Sequence, residues 1–213
     1  YLGLPITGKG DISNANYLWM QMFASALNSQ GRAGFVMANS ASDAGNAEKE
    51  IRKKMIEAGM VDVIVSVGTN MFMNATLSCT LWFFDKRKMG TDRKNKVLFI
   101  NAQDIFTEID RAHSDWTDEQ IQEIAGIVRR YREEKGEGKY KDIKGRCRVA
   151  TLEEIRANDY SLNPGRYVEI VEKEMSDVDF DARMKELMGE FTNLTGEAHK
   201  LEKKIQDDWK NIL

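Results

Sequence analysis

Cysteine and histidine are scarce in this chain of 213 residues, which has two of each. Cys79 and Cys147 lie far apart in a sequence with no secretion signal, which indicates a reducing, cytoplasmic location and argues against a disulfide scaffold. Two cysteines and two histidines scattered along the sequence also argue against a structural zinc site, so we expect no metal centre. No apolar run approaches the roughly 20 residues that a membrane-spanning helix needs.

An excess of basic charge is also missing, because 31 lysines and arginines face 34 aspartates and glutamates, for a net charge of -3. A generally basic nucleic-acid-binding protein is therefore excluded, whereas a local basic patch is not. The chain does have 42% hydrophobic residues, which is enough for a folded core and argues against a disordered protein.

The first half of the sequence alternates helical and strand patterns. Apolar residues at positions 19, 22, 23, 26 and 27 repeat with the spacing of one helix face, which we predict to turn inward. Residues 33–38 read as a buried strand and residues 61–67 as a β-branched strand, with a helix between them that turns Ile51 inward and Arg52 outward. Strand, helix and strand in succession predict an α/β sheet with parallel pairing.

Basic residues separate two further strands, 76–84 and 97–100, which we predict to be antiparallel. Six of the twelve residues from 85 to 96 are basic, and Gly90 among them predicts a hairpin turn. Lys86, Arg87 and Lys88 are candidates for contacts with DNA phosphates. A solvated surface run is the alternative, and the sequence leaves both open.

The second half is mostly helical. Residues 117–120 and 151–154 have the sequence of a capping box, and residues 133–144 predict a flexible, charged connector. The last stretch repeats apolar residues at alternating steps of three and four, which predicts a long helix that needs a partner helix from this chain or another. Its seam consists of Met184, Leu187, Phe191, Leu194, Ala198, Leu201 and Ile205.

No complete catalytic motif is visible, since a glycine-rich phosphate loop, HExxH, CxxC and GxSxG are all absent from the sequence. Phe72 is the aromatic residue of a loop that follows the predicted strand 61–67, at the edge where open α/β sheets bind ligands. Two roles stay open for Phe72: an aromatic face for a ligand, or a buried anchor for the loop.

Six stretches of the sequence form a characteristic set. They are Ser13-Asn14-Ala15-Asn16-Tyr17, Gly31-Arg32-Ala33-Gly34-Phe35-Val36, Glu50-Ile51-Arg52-Lys53, Phe72-x-Asn74-Ala75-Thr76, Lys96-Val97-Leu98-Phe99-Ile100-Asn101-Ala102 and Ser161-Leu162-Asn163-Pro164-Gly165-Arg166-Tyr167-Val168. This set resembles the modification subunit of type I restriction–modification systems, in the N-6 adenine DNA methylase family. The stretches occur in the family's order and cover nearly the whole chain.

The resemblance implies transfer of a methyl group from S-adenosylmethionine to the exocyclic amine of an adenine that is flipped out of DNA. It also implies an α/β fold, namely the C-terminal part of a Rossmann-like methyltransferase sheet followed by a helical region that ends in a long heptad helix. The family's glycine-rich cofactor loop and its Asn-Pro-Pro-Phe motif are absent from this sequence. We therefore expect a C-terminal fragment that is inactive alone, from a parent protein that binds the cofactor elsewhere.

Site residues follow from the same resemblance. Phe72 lies in the loop that offers an aromatic face to the flipped base. Asn14, Asn16 and Trp19 lie near the expected catalytic loop, and the alternative role for them is to cap and pack the first helix. No catalytic or cofactor-binding residue is assigned within this chain. The final helix resembles the element that docks on the DNA-specificity subunit, with a second modification subunit and a restriction subunit as further candidate partners.

We expect three domains: residues 1–103 as the C-terminal part of the methyltransferase domain, 104–176 as a helical connector region, and 177–213 as a coiled-coil-like docking helix. A non-catalytic interaction module that presents this helix is the alternative function. A different cofactor-binding α/β enzyme is a third. Since half of a sheet exposes an unpaired strand edge, we expect the piece alone to be marginally stable or to self-associate.

Overall fold

The computed structural model describes residues 2–3, 9–12, 15–72, 75–169 and 177–212. The helices are α1 (Asn16–Ala26), α2 (Asn46–Glu57), α3 (Asp118–Tyr131), α4 (Leu152–Ala157) and α5 (Asp177–Ile212). The strands are β1 (Arg32–Ala38), β2 (Val61–Val67), β3 (Cys79–Asp85), β4 (Lys96–Ala102), β5 (Thr107–Glu108), β6 (Ser114–Asp115) and β7 (Cys147–Thr151). Short 3-10 helices cover Asn39–Ser42, Lys86–Gly90 and Pro164–Arg166.

Five strands form a mixed sheet in the order β1-β3-β2-β4-β7, in which β2 and β4 are parallel and every other pair is antiparallel. The prediction of an α/β sheet is confirmed, but its neighbours differ from those expected. The strands β1 and β2 run in the same direction without pairing, because β3 lies between them. Likewise β3 and β4 do not form a hairpin, because β2 separates them and residues 86–90 form a 3-10 helix.

Both faces of the sheet carry a hydrophobic core. On one face α1 and α2 cover residues that include Trp82, Phe84 and Phe99. On the other face α3 covers residues that include Leu98 and Ile100. The prediction that β1 is buried was wrong, because β1 is the last strand of the sheet and only Met37 in it is buried.

The inward face predicted for α1 was also wrong. Tyr17, Met20 and Ala24 are buried, whereas Trp19 is 53% and Met22 58% exposed. This helix has apolar residues on two faces, and periodicity alone does not say which of two apolar faces a sheet will cover.

Arg52 on α2 is buried, whereas the sequence pattern predicted that it faces outward. Its guanidinium donates to the Tyr17 hydroxyl at 2.9 Å and to the carbonyl of Ala44 at 2.7 Å.

The predicted starts of two helices are confirmed. Thr117 and Thr151 each form the predicted capping box, with side-chain and backbone bonds in both directions, at the start of α3 and α4. Gly59 follows α2 with φ of 65°, a left-handed conformation in which an L side chain is strained.

The expected boundary between residues 103 and 104 does not separate two units. The strand β7 pairs with β4 over five residues, and α3 packs on the same sheet, so residues 1–171 form one unit. The short segment 159–168, expected as a turn between extended pieces, instead contains a 3-10 helix with Tyr167 and Val168 buried after it.

Residues 172–213 form a second unit that contains α5. A helix of 36 residues is about 54 Å long at 1.5 Å per residue. The predicted seam residues from Met184 to Ile205 lie on this helix with exposed side chains. None of the helices in the described ranges is both long and apolar enough to pass through a bilayer.

Candidate functional site

The carboxyl ends of three strands meet at one edge of the sheet. Ala38 at the end of β1 and Val67 at the end of β2 both pair with Cys79, and Val67 also pairs with Ala102 at the end of β4. At about 5 Å between neighbouring strands, the ends of β1 and β2 lie about 10 Å apart. We call this edge the carboxyl edge. The loop 39–45 and the segment 103–117 start there, and the loop 68–78 starts there after β2 and ends there before β3.

Phe72 lies in the loop after β2, at the carboxyl edge. Its ring is 37% exposed, so the structure does not support a buried loop anchor. The loop is held by backbone bonds, in which Ala75 donates to Phe72 and Ser114 donates to Asn70 at 2.9 Å. The second bond ties the loop to β6. An exposed aromatic ring whose backbone is hydrogen-bonded in this way is suited to stacking on a flat ligand.

The loops after β2 and β4 approach each other closely. A Cβ added at Gly68 would lie 2.7 Å from the carbonyl oxygen of Gln103, so only glycine fits there without a shift of backbone. The Asn101 side chain accepts from the Ser66 hydroxyl and from the backbone N–H of Gln103, both at 3.2 Å. The two loops thus form one fixed surface.

The first helix contributes to the same edge. The Tyr17 hydroxyl donates to the carbonyl of Ala41 at 2.6 Å, so the start of α1 lies beside the loop 39–45. Asn16 is the first residue of α1, and Trp19 one turn later is exposed. Asn14 lies outside the described residues. Among the described residues, Ala15 takes the N-cap position and Asn16 is the first residue inside the helix, so Asn16 is not the helix cap.

The basic run lies at the opposite end of the sheet, where β2 and β4 begin and β3 ends. Seven residues of strand separate this end from the carboxyl edge by about 20 Å, so Phe72 and the lysines are not brought together. Lys86 donates to the carbonyl of Leu27 at 2.6 Å, and Arg87 lies 3.5 Å from Asp85.

Lys88 is buried, which corrects its assignment as a phosphate contact. Its ammonium donates to the carbonyl oxygens of Val61 and Lys96, at the starts of the two parallel strands. Burial lowers the pKa of this ammonium to about 8. Lys88 therefore joins two strands and is inaccessible to DNA.

Two buried aspartates lie beside Lys88. Asp62 accepts from Arg93 at 2.6 Å and from two nitrogens of Arg132 at 2.9 and 2.8 Å. Asp85 accepts from Arg32 at 2.8 Å. Burial opposes the ionisation of Asp85, but the backbone N–H of Arg87 and the Arg32 guanidinium outweigh it and hold the pKa of Asp85 below its usual range. No sequence pattern indicated this network, because its members are scattered over residues 32–132.

The two cysteines and His113 show no sign of a catalytic arrangement in the part of the chain that the structure describes. Burial raises the pKa of the Cys147 thiol despite its flanking arginines, and burial also raises the pKa of the Cys79 thiol. The exposed His113 ring contacts the Asp110 carboxylate at 2.9 Å. Over the residues that the structure describes, no three His, Cys, Asp or Glu side chains converge as a metal site.

Comparison with known proteins identifies the family. The sequence pattern of the N-6 DNA Methylase family matches residues 6–176, which is most of the chain. The chain belongs to the N-6 DNA methylase family. Among curated relatives, this methylase-family chain is 41% identical over 204 residues to the type I restriction enzyme MjaIX methylase subunit of Methanocaldococcus jannaschii. It is 35% identical over 194 residues to the HindI methylase subunit of Haemophilus influenzae.

The alignments cover 96% and 91% of this methylase-family chain, but only 36% and 42% of the two relatives. The chain thus spans about a third to two fifths of the length of these relatives. Among solved structures, the type I restriction-modification methyltransferase subunit from Streptococcus thermophilus superimposes with a TM-score of 0.64 at 28% identity, over 74% of this chain and 31% of that one. This similarity agrees with the mixed α/β fold.

Proposed function

We propose that this chain is the C-terminal part of a type I modification subunit that methylates adenine in DNA with S-adenosylmethionine as methyl donor. The observation that carries the proposal is the family match over residues 6–176, which includes every strand of the sheet and the whole carboxyl edge. The match favours this function over a non-catalytic interaction module, because such a module would need none of the family's sheet.

The carboxyl edge as described does not itself fit S-adenosylmethionine. The glycine at position 68 allows a close approach of the Gln103 carbonyl, which occupies the space where a Cβ would lie. This glycine therefore leaves no space there for a cofactor. The sequence also has no glycine-rich loop after a strand. We therefore propose that other parts of the parent protein hold the cofactor.

Phe72 is our candidate for the target base. A flipped adenine offers two flat faces, and an exposed phenylalanine on a fixed loop can cover one of them. Base–aromatic stacks contribute about 1–3 kcal/mol. Loss of that stack corresponds to a decrease of about five- to 150-fold in the rate constant kcat/KM for DNA.

The experiment measures methyl transfer by the full-length parent protein, expressed with its specificity subunit, from tritiated S-adenosylmethionine to DNA. Product digestion and mass spectrometry should give N6-methyladenine. We expect Phe72→Ala to lower kcat/KM by the factor above and Phe72→Trp to retain most of it. Leu77→Ala is the matched control, because Leu77 is exposed in the same loop and has no ring. Methylation of another base, or none, would contradict the proposal.

We further propose that the seam of α5 binds helices of the specificity subunit. The side chains of Leu187, Phe191 and Leu194 recur at heptad spacing on a helix far longer than one small domain needs. Leu194→Glu would place a charge in the seam and should abolish co-purification with the specificity subunit. Asn193→Glu adds the same charge beside the seam and should leave co-purification intact. Equal effects of both changes would contradict docking through the seam.

A further inference from the structure

Asp43 gathers three side chains from a segment more than a hundred residues away. Its carboxylate accepts from the Ser161 hydroxyl and, at 3.1 Å, from the side-chain amide of Asn163. The Arg166 Nε lies 3.7 Å from the same carboxylate. We call these four residues the Asp43 network. They join the loop 39–45 to the segment 161–166.

The segment 161–166 is itself fixed on the sheet. The Tyr167 hydroxyl donates to the carbonyl of Ser161 at 2.6 Å, and the Tyr167 ring stacks on Phe99 of β4 with centroids 4.0 Å apart. The side-chain oxygen of Asn163 accepts from the backbone N–H of Gly165 at 3.0 Å and closes the turn. Asn163 thus uses its oxygen within the turn and its nitrogen on Asp43.

The backbone of the loop 39–45 is held from α1, from α2 and again from the segment 161–166. Three of its carbonyl oxygens, those of Ala41, Ser42 and Ala44, accept hydrogen bonds from outside the loop. The donors are the Tyr17 hydroxyl on α1, the backbone N–H of Leu162 at 2.9 Å, and the Arg52 guanidinium on α2. Together with the Asp43 network, these bonds tie the loop to two helices and to the segment 161–166.

We propose that the Asp43 network positions the loop 39–45 for methyl transfer, with Asp43 and Asn163 as positioning residues. This inference rests on the proposed function. The loop starts at the end of β1, about 10 Å from the end of β2 that leads to Phe72. A displacement of about 1 Å at a catalytic edge lowers turnover by up to about a hundredfold.

The test uses the full-length parent protein with its specificity subunit and a swap of the two hydrogen-bonding partners. Asn163→Asp keeps the oxygen that closes the turn but places a second carboxylate against Asp43. The double variant Asp43→Asn with Asn163→Asp restores one donor and one acceptor. We expect Asn163→Asp to lower kcat at least about tenfold, and the double variant to recover to within about threefold of the wild type, with KM for DNA unchanged.

The matched control is Asp159→Asn, which removes an exposed ion pair with Lys49 in the neighbouring turn without touching the loop. All rates are taken below the unfolding temperature and divided by the folded fraction from circular dichroism. A kcat for Asn163→Asp equal to that of the wild type, or to that of the control, overturns the proposal. So does a double variant that stays as slow as the single one.

A second readout separates this inference from the proposed function. Hydrogen exchange of the backbone amides in residues 39–45 should accelerate in Asn163→Asp and return to the wild-type rate in the double variant. If the wild type transfers no methyl group, the proposed function is wrong. The exchange rates alone then show whether the Asp43 network holds the loop 39–45 in place. If Asn163→Asp leaves these exchange rates unchanged, the proposed positioning role of the Asp43 network is contradicted in either case.

Discussion

Replacing Asp62 by asparagine is the sharpest test of how the sheet is held together at the starts of β2 and β4. Asp62 is fully buried and accepts three hydrogen bonds, one from Arg93 and two from Arg132. Asparagine has nearly the same shape, but it carries no charge and turns an N–H group toward one guanidinium. Removal of one partner from a buried ion network costs about 3–5 kcal/mol, because the remaining charges stay buried without compensation.

Urea unfolding followed by circular dichroism measures this loss, and calorimetry should show a Tm lower by about 6–20 °C, at about 2–4 °C per kcal/mol for a chain of this size. The control is Asp110→Asn, which removes an exposed carboxylate beside His113 and should leave the midpoint unchanged. A loss below about 1 kcal/mol for Asp62→Asn would refute the reasoning, because it would mean that water already compensates the two guanidinium groups.

Three further predictions concern single residues. The pKa of Lys88 is about 8 in the folded protein, so the unfolded chain binds more protons between about pH 8 and pH 10.4. Stability should therefore rise with pH across that window, by up to about 3 kcal/mol, and Lys88→Met should remove the rise in urea midpoints taken from pH 7 to 10. Gly68→Ala should lower stability by about 1–3 kcal/mol through its clash with the Gln103 carbonyl, whereas Gly45→Ala, which meets open space, should be far milder in the same thermal scan. Thr151→Ala should cost about 1 kcal/mol by removing the cap of α4; an unchanged Tm would show that the capping box contributes nothing.

Several elements of the fold could be predicted because their causes lie within a few residues. The capping boxes at Thr117 and Thr151 depend on contacts three residues apart, and the glycine after α2 depends on its own backbone angle. The strand β2 follows from its many β-branched residues, which are Val61, Val63, Ile64, Val65 and Val67. The resemblance of six stretches to the methylase family also needed nothing beyond the order of residues, and the family match confirms it.

The candidate site was predictable only in part. The position of Phe72 at the carboxyl edge could be predicted because a loop after a buried strand has a known place in an α/β sheet, and its role toward a base stays a prediction. Lys88 was misassigned, because a lysine in a basic run has the same pattern whether its ammonium faces solvent or two strand carbonyls. Asp43 was missed altogether, because its partners are 118 and 120 residues away and a polar loop residue gives no local signal.

The sequence by itself determined the approximate positions of α2, α3, β2 and β4, and the family to which the chain belongs, since these depend on residue order and short-range contacts. It did not indicate β7, which lies in the region predicted to be helical. Tertiary structure alone decided that β3 lies between β1 and β2, that Trp19 faces outward while Arg52 is buried, and that the basic run lies at the opposite end of the sheet from the loop with Phe72. The physical reason is that strand pairing and the choice of buried face follow from the competition of all segments for one core. That competition depends on residues distant in the chain and becomes visible only when they are packed together.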